Sequence, residues 1–176
     1  KYAMLALRSW DGTMAKLPAF ASAAEYLYRD CGLIPVLYSM ERKTDLPIAQ
    51  AVAARLHCPH LVLQAGTNAG EILTLVHRMS LVISMRLHTL VFASGQGVPL
   101  VGIVYDPKVS AFLDHLGQDL YLPLAETNAA SLCDLIDAAL AERHFERENI
   151  RHLRHLANKN EEVLRSLLDE DELPDF

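Results

Sequence analysis

The sequence predicts a doubly wound α/β domain, a parallel sheet with helices on both faces, and three observations carry that reading. Short apolar, β-branched segments recur along the 176 residues and alternate with stretches whose apolar residues return at helical spacing. Each connection between successive apolar segments is too long for a hairpin and too regular for a loop, which is the pattern of βα units with right-handed crossovers. The 51% hydrophobic content includes only 7% aromatic residues, so the core is one of Leu, Val, Ile and Ala, as in helices packed on a parallel sheet.

Tyr2 to Leu7 reads as the first strand and Ala15 to Cys31 as the helix after it; Leu33 to Tyr38 and Leu46 to Leu56 repeat the unit. Leu61 to Leu63 is a short third strand. Ala69 to Met79 is a helix capped by Thr67 or Asn68, with Glu71 placed as a capping-box partner. Leu81 to Ser84 and Val98 to Val104 are buried strands with a brief helix between them, and six parallel strands are expected in all, the chain changing character after Asp119 to Leu122. Residues 1–127 are thus expected to form the sheet domain. A helical region follows from Ala129 to about Leu168, with Leu132, Leu135, Ile136, Ala139 and Leu140 on one face and a break near His144 or Phe145; residues 169–176 form an acidic, flexible tail.

A chain of this length buries roughly 70% of the surface its unfolded form exposes, so it needs no metal or disulfide staple. The formal charge of −6 excludes a general nucleic-acid partner, which requires a basic surface. Cys31, Cys58 and Cys133 are odd in number and widely spaced, which predicts buried free thiols in a reducing compartment and a cytoplasmic location. His57-Cys58-Pro59-His60 lacks a second ligand cluster at fixed spacing, so no metal site is expected. No apolar run reaches the ~18 residues of a membrane span.

The chemistry-bearing residues gather just after strands: Arg8-Ser9-Trp10 after the first, Ser84-Met85-Arg86-Leu87-His88 after the fourth, and Tyr105-Asp106-Pro107-Lys108 after the fifth. In open parallel sheets ligands bind beyond these carboxyl ends. A guanidinium, an imidazole, a carboxylate and an ammonium together suit a small, strongly anionic ligand. Arg86 offers a rigid fork that pairs with a carboxylate or phosphate through two parallel hydrogen bonds. His88 supplies an imidazole, a side chain suited to proton transfer or a phosphate contact. Asp106 precedes a proline and is extended, so it is placed to cap the next helix, while Lys108 lies near that helix's anion-favouring amino terminus. Tyr105 lines the pocket or packs beneath it, Arg8 reaches the ligand from the first strand, and Trp10 stacks on a sugar ring or covers the sheet. Gly66, Thr67, Asn68 and Gly70 form a small-residue turn without the full dinucleotide fingerprint, open to a phosphate contact or to plain helix capping. Arg143, Arg147, Arg151 and Arg154 form a band at i, i+4 spacing, read either as a solvated helix face or as a contact for anionic lipid headgroups.

Met85-Arg86-Leu87-His88, with Gly97-Val98-Pro99 running through Val104-Tyr105-Asp106-Pro107-Lys108-Val109, resembles the polysaccharide pyruvyltransferase family, CsaB-like members in particular. Weaker echoes are Leu7-Arg8-Ser9-Trp10 and Leu37-Tyr38-Ser39-Met40 followed by Asp45. The resemblance implies a Rossmann-like domain that is one half of a GT-B-type two-domain fold, here the carboxyl half, with the amino-terminal domain of the protein missing and the isolated half inactive. It implies transfer of a pyruvyl group from phosphoenolpyruvate to a sugar of a lipid-linked bacterial cell-wall polysaccharide, as a ketal. Arg86 and His88 are the implied catalytic residues, and Lys108, Arg8, Asp106 and Tyr105 join them in binding substrate. No cofactor or metal is implied, and contact with the inner face of the membrane follows from a lipid-linked acceptor. A nucleotide-sugar-dependent glycosyltransferase half and a non-catalytic carbohydrate-binding module remain alternatives.

Overall fold

The computed structural model describes residues 1–66, 68–141, 155, 158 and 159. Six strands, β1 (Tyr2–Ala6), β2 (Ile34–Ser39), β3 (Leu61–Gln64), β4 (Met79–Ser84), β5 (Leu100–Val104) and β6 (Tyr121–Pro123), form one sheet in the order β3-β2-β1-β4-β5-β6. Every pairing is parallel. Helices α1 (Leu17–Arg29), α2 (Leu46–Ala53), α3 (Ala69–His77), α4 (Leu87–Gln96) and α5 (Pro107–His115) fill the crossovers, and α6 (Ala129–Ala141) follows β6. The strand order reverses between β1 and β4, so the crevice where such sheets bind ligands opens at the ends of those two strands.

Both faces of the sheet are covered, which is why its inner strands read as unbroken apolar runs rather than alternating ones. Successive residues still separate by face. Leu5, Leu37, Leu81 and Ile83 pack with Leu17, Phe20 and Leu27 of α1 and with Leu132 and Ile136 of α6. Met4, Val36, Val82 and Leu100 face the other way, onto Val76 of α3, Leu90 of α4, and Val109 and Leu113 of α5. Burial of each of these large side chains contributes about 1.5–3 kcal/mol.

The expected elements shift at their ends for local reasons. A 3₁₀ turn over Thr13–Lys16 precedes α1, whose first turn holds Pro18. Met79, expected at the end of a helix, opens β4 instead, because it pairs with Tyr2 of β1. Asn68 caps α3, its side chain accepting from Gly70 N at 2.8 Å; Thr67 lies outside the described residues. Only Cys58 of the three free thiols is buried, while Cys31 and Cys133 are half-exposed. Two compact units divide the chain, Lys1–Phe145 and Glu146–Phe176, and the described residues of the second, His155, Asn158 and Lys159, are helical. The continuation of the last helix to Leu168, its break, the arginine band and the acidic tail fall outside the described residues. Among the described residues no helix is long and apolar enough to cross a membrane.

Gly102 at the middle of β5 marks a close approach of α5 to the sheet. A Cβ there would collide with the Leu113 side chain of α5 and stand 3.0 Å from Tyr121 Cβ on β6. Leu113 can turn away, but Tyr121 Cβ is tied to the strand paired with β5. Gly102→Ala is expected to destabilise the protein by about 1–3 kcal/mol, read as a lower urea midpoint at unchanged slope.

Candidate functional site

The rim above the sheet is built where β1, β2, β4 and β5 run out. Ala6 pairs with Ser84, and Met85 N donates to Ala6 O at 3.0 Å, so β1 and β4 end together. From these two neighbouring ends the chain launches two arginines, Arg8 and Arg86, in opposite directions.

Arg86 is the N-cap of α4, with extended backbone, and its amide donates to Ser84 Oγ at 2.8 Å. Because β1 lies between β4 and β2, its side chain passes over the end of β1 to reach the loop after β2. There Nε donates to Asp45 Oδ2 at 3.0 Å, and Nη2 donates to Asp45 Oδ1, to Thr44 Oγ1 at 2.9 Å and to Glu41 Oε2 at 3.3 Å. Asp45 is fully buried and also accepts from Met40 N, Glu41 N and Thr44 Oγ1 at 3.0–3.1 Å. Burial opposes the charge on Arg86, but the hydrogen bonds and charge of Asp45, followed by those of Glu41, outweigh it and raise the guanidinium pKa. The Nε–Nη2 edge expected to meet a ligand is therefore already taken, and two carboxylates offset its charge.

Arg8 runs the other way, over the end of β4 towards β5. Its Nη1 donates to Tyr105 Oη at 2.6 Å, and its guanidinium carbon lies 5.0 Å from the Tyr105 ring centroid and 5.3 Å from that of Trp10. Trp10 and Tyr105 pack with centroids 4.8 Å apart and planes tilted by 59°. Arg8 Nε is buried and has no hydrogen-bond partner among the described residues.

Asp106 caps α5, accepting from Lys108 N at 3.0 Å. That bond holds its carboxyl below the usual range, with the charges of Lys108 and Arg8 adding to it against some desolvation. Lys108 Nζ sits 3.5 Å from Asp106 Oδ2 and 6.0 Å from the Tyr105 ring. His88 is exposed on the first turn of α4.

Four of the expected site residues, Arg8, Tyr105, Asp106 and Lys108, are thus brought together. Among the described residues no hydrogen bond or ion pair joins Arg86 or His88 to that group. The Arg8 group carries two cations against one carboxylate, whereas Arg86 faces two carboxylates, so the excess positive charge lies on the β5 side of the rim. Asp45, which the sequence reading does not assign to the site, lies in the loop that follows Leu37-Tyr38-Ser39-Met40 at the exit of β2. His57 and His60 lie far from this group in sequence; His60 Nδ1 is 2.8 Å from Cys58 O.

A family model of polysaccharide pyruvyl transferases matches residues 15–107, more than half of the chain. The chain belongs to the polysaccharide pyruvyl transferase family. The match spans Asp45, Arg86, His88, Tyr105 and Asp106, and leaves Arg8, Trp10 and Lys108 outside it. No curated protein sequence matches this family member. Among solved structures it is similar to the catalytic domain of cholesterol-α-glucosyltransferase from Helicobacter pylori, with TM-score 0.57 and 13% identity over 88% of this chain and 98% of that one. It is also similar to the glycotransferase of kitacinnamycin, with TM-score 0.52 and 19% identity over 86% of this chain but only 39% of that one. At these identities the likeness establishes the fold, that of a GT-B glycosyltransferase domain. The pyruvyl transferase family membership makes the protein a transferase that modifies polysaccharide.

Proposed function

We propose that this domain binds phosphoenolpyruvate at the rim and takes part in transferring its pyruvyl group to a sugar of a lipid-linked bacterial cell-wall polysaccharide at the cytoplasmic face of the membrane. The observation that carries the donor assignment is Arg8 Nε, a buried donor without an acceptor among the described residues, at the switch point of the sheet. A buried N–H of this kind is costly unless an acceptor completes it, and a carboxylate or phosphate oxygen would do so. Lys108 supplies a second positive charge, and the outer edge of Arg86, steadied by Asp45, offers the remaining Nη1.

The chemistry asks for one proton delivered to carbon, one removed from each of two hydroxyls, and no change of oxidation level, so no redox cofactor is needed. Protonation of the methylene carbon leaves an oxocarbenium-like centre at the carbon bearing phosphate. One sugar hydroxyl attacks it and loses its proton; inorganic phosphate then departs, and a second hydroxyl attacks the same carbon and loses its own proton, closing the ketal. His88, exposed on α4, is the group assigned to move protons in these steps. Cations near the phosphate favour its departure.

Thermal unfolding tests the donor. Phosphoenolpyruvate at about 100 times its Kd is expected to raise Tm by roughly 5–10 °C, and Arg8→Ala to abolish most of that rise. Protection by a nucleotide sugar, with none from phosphoenolpyruvate, would replace this reading with that of a glycosyltransferase.

A further inference from the structure

Beside the Arg8 group a separate cavity of about 330 Å³ opens between the ends of β1, β5 and β6. Trp10, Asp11, Lys16, Tyr105, Leu124 and Ala125 line it. Trp10, beyond the end of β1, is 45% exposed and leaves much of its indole open to a ligand. It is held there by a tight turn: Thr13 N donates to Trp10 O at 3.1 Å, and Gly12 takes φ 82°, a backbone that a side chain would strain. The turn also delivers Asp11, which is exposed, to the cavity. Opposite, Lys16 Nζ donates to Ala125 O at 2.6 Å, which uses one of its three protons and leaves two.

We infer that this cavity is the acceptor subsite and takes one pyranose ring, stacked on Trp10 and hydrogen-bonded through its hydroxyls to Asp11 and Lys16. The inference rests on the transferase reading above and adds to it the place and class of the acceptor. A pyranose has a C–H face and a rim of hydroxyls. The face suits the negative π-cloud of an aromatic ring, and the rim suits a few fixed polar groups. Ligand pockets run from about 300 to 1,000 Å³, so a cavity at the bottom of that range has room for a single sugar ring. Tyr105 is shared: its ring packs on Trp10 in the cavity while its hydroxyl accepts from Arg8. A sugar on Trp10 therefore lies one side chain away from the proposed donor, as two reactants must.

Trp10 is the single tryptophan of the chain and lines this cavity, so its emission reports on a sugar seated there. The protein is titrated with glucose, galactose, mannose and N-acetylglucosamine, with open-chain sorbitol as the control. A saturable change in emission with at least one pyranose, absent with sorbitol, is the expected result. Asp11→Asn keeps the fluorophore and is expected to raise the midpoint about tenfold. Silence with all four pyranoses, an equal response to sorbitol, or an unshifted midpoint in Asp11→Asn overturns the inference. Thermal shift by phosphoenolpyruvate on the same samples separates this outcome from the donor reading. A shift with phosphoenolpyruvate beside silent sugars removes the subsite alone, and saturable sugar binding without that shift supports the subsite while removing the donor.

Discussion

Asp45→Ala is expected to destabilise the protein by about 3–5 kcal/mol, a fall in Tm of roughly 6–20 °C. Asp45 is fully buried, and its two oxygens accept from Arg86, Thr44, Met40 and Glu41. Truncation leaves a part-buried guanidinium without its main counter-charge, and only Glu41, which is exposed, still faces it. Two backbone N–H groups that shape the loop after β2 also lose their acceptor. Asp45→Asn separates the two effects, since the amide keeps an acceptor for the loop but not the charge, and its loss is expected to be smaller. Urea unfolding of Asp45→Ala, Arg86→Met and the double variant closes the cycle. If the stranded charge dominates, the double variant is more stable than Asp45→Ala alone. Equal stability of Asp45→Ala and the parent protein would show that the tie between β2 and β4 contributes nothing net.

That tie also marks where reading from sequence stops. The strands were legible because parallel strands covered on both faces carry unbroken runs such as Leu81 to Ser84 and Val98 to Val104, and their turns carry Pro or a capping side chain. Asp106 as a cap follows from the Asp-Pro pair, and the structure has it in that role. Met79 belongs to β4 and not to the helix before it because its partner, Tyr2, is 77 residues away in a register that local spacing does not encode. The Arg86–Asp45 pair spans 41 residues and the Arg8–Tyr105 bond 97. Each requires knowing that β1 sits between β2 and β4, and β4 between β1 and β5. From sequence alone Arg86 read as a free clamp and Arg8 as an assistant. The carboxylates that offset Arg86, and the unpaired Nε of Arg8, alter that balance only once strand order is known. Nothing local marks Lys16, a lysine in a 3₁₀ turn, as reaching Ala125 across the chain.

Arg86→Lys is expected to weaken phosphoenolpyruvate binding about tenfold to a hundredfold while the fold persists, measured as the ligand concentration at half-maximal thermal shift. The planar guanidinium serves two directions at once: Nε and Nη2 hold Asp45, Thr44 and Glu41, and Nη1 is left for a ligand. An ammonium is a single point of charge on a flexible stem. In the company of two carboxylates it will settle on Asp45 and Glu41 and offer the rim nothing. Since that residual pairing survives, stability should fall by far less than in Asp45→Ala, which distinguishes a lost ligand contact from a damaged fold. Unchanged affinity in Arg86→Lys would confine Arg86 to bracing the loop after β2. The anionic groups of the donor would then rest on Arg8 and Lys108, where the excess positive charge of the rim already lies.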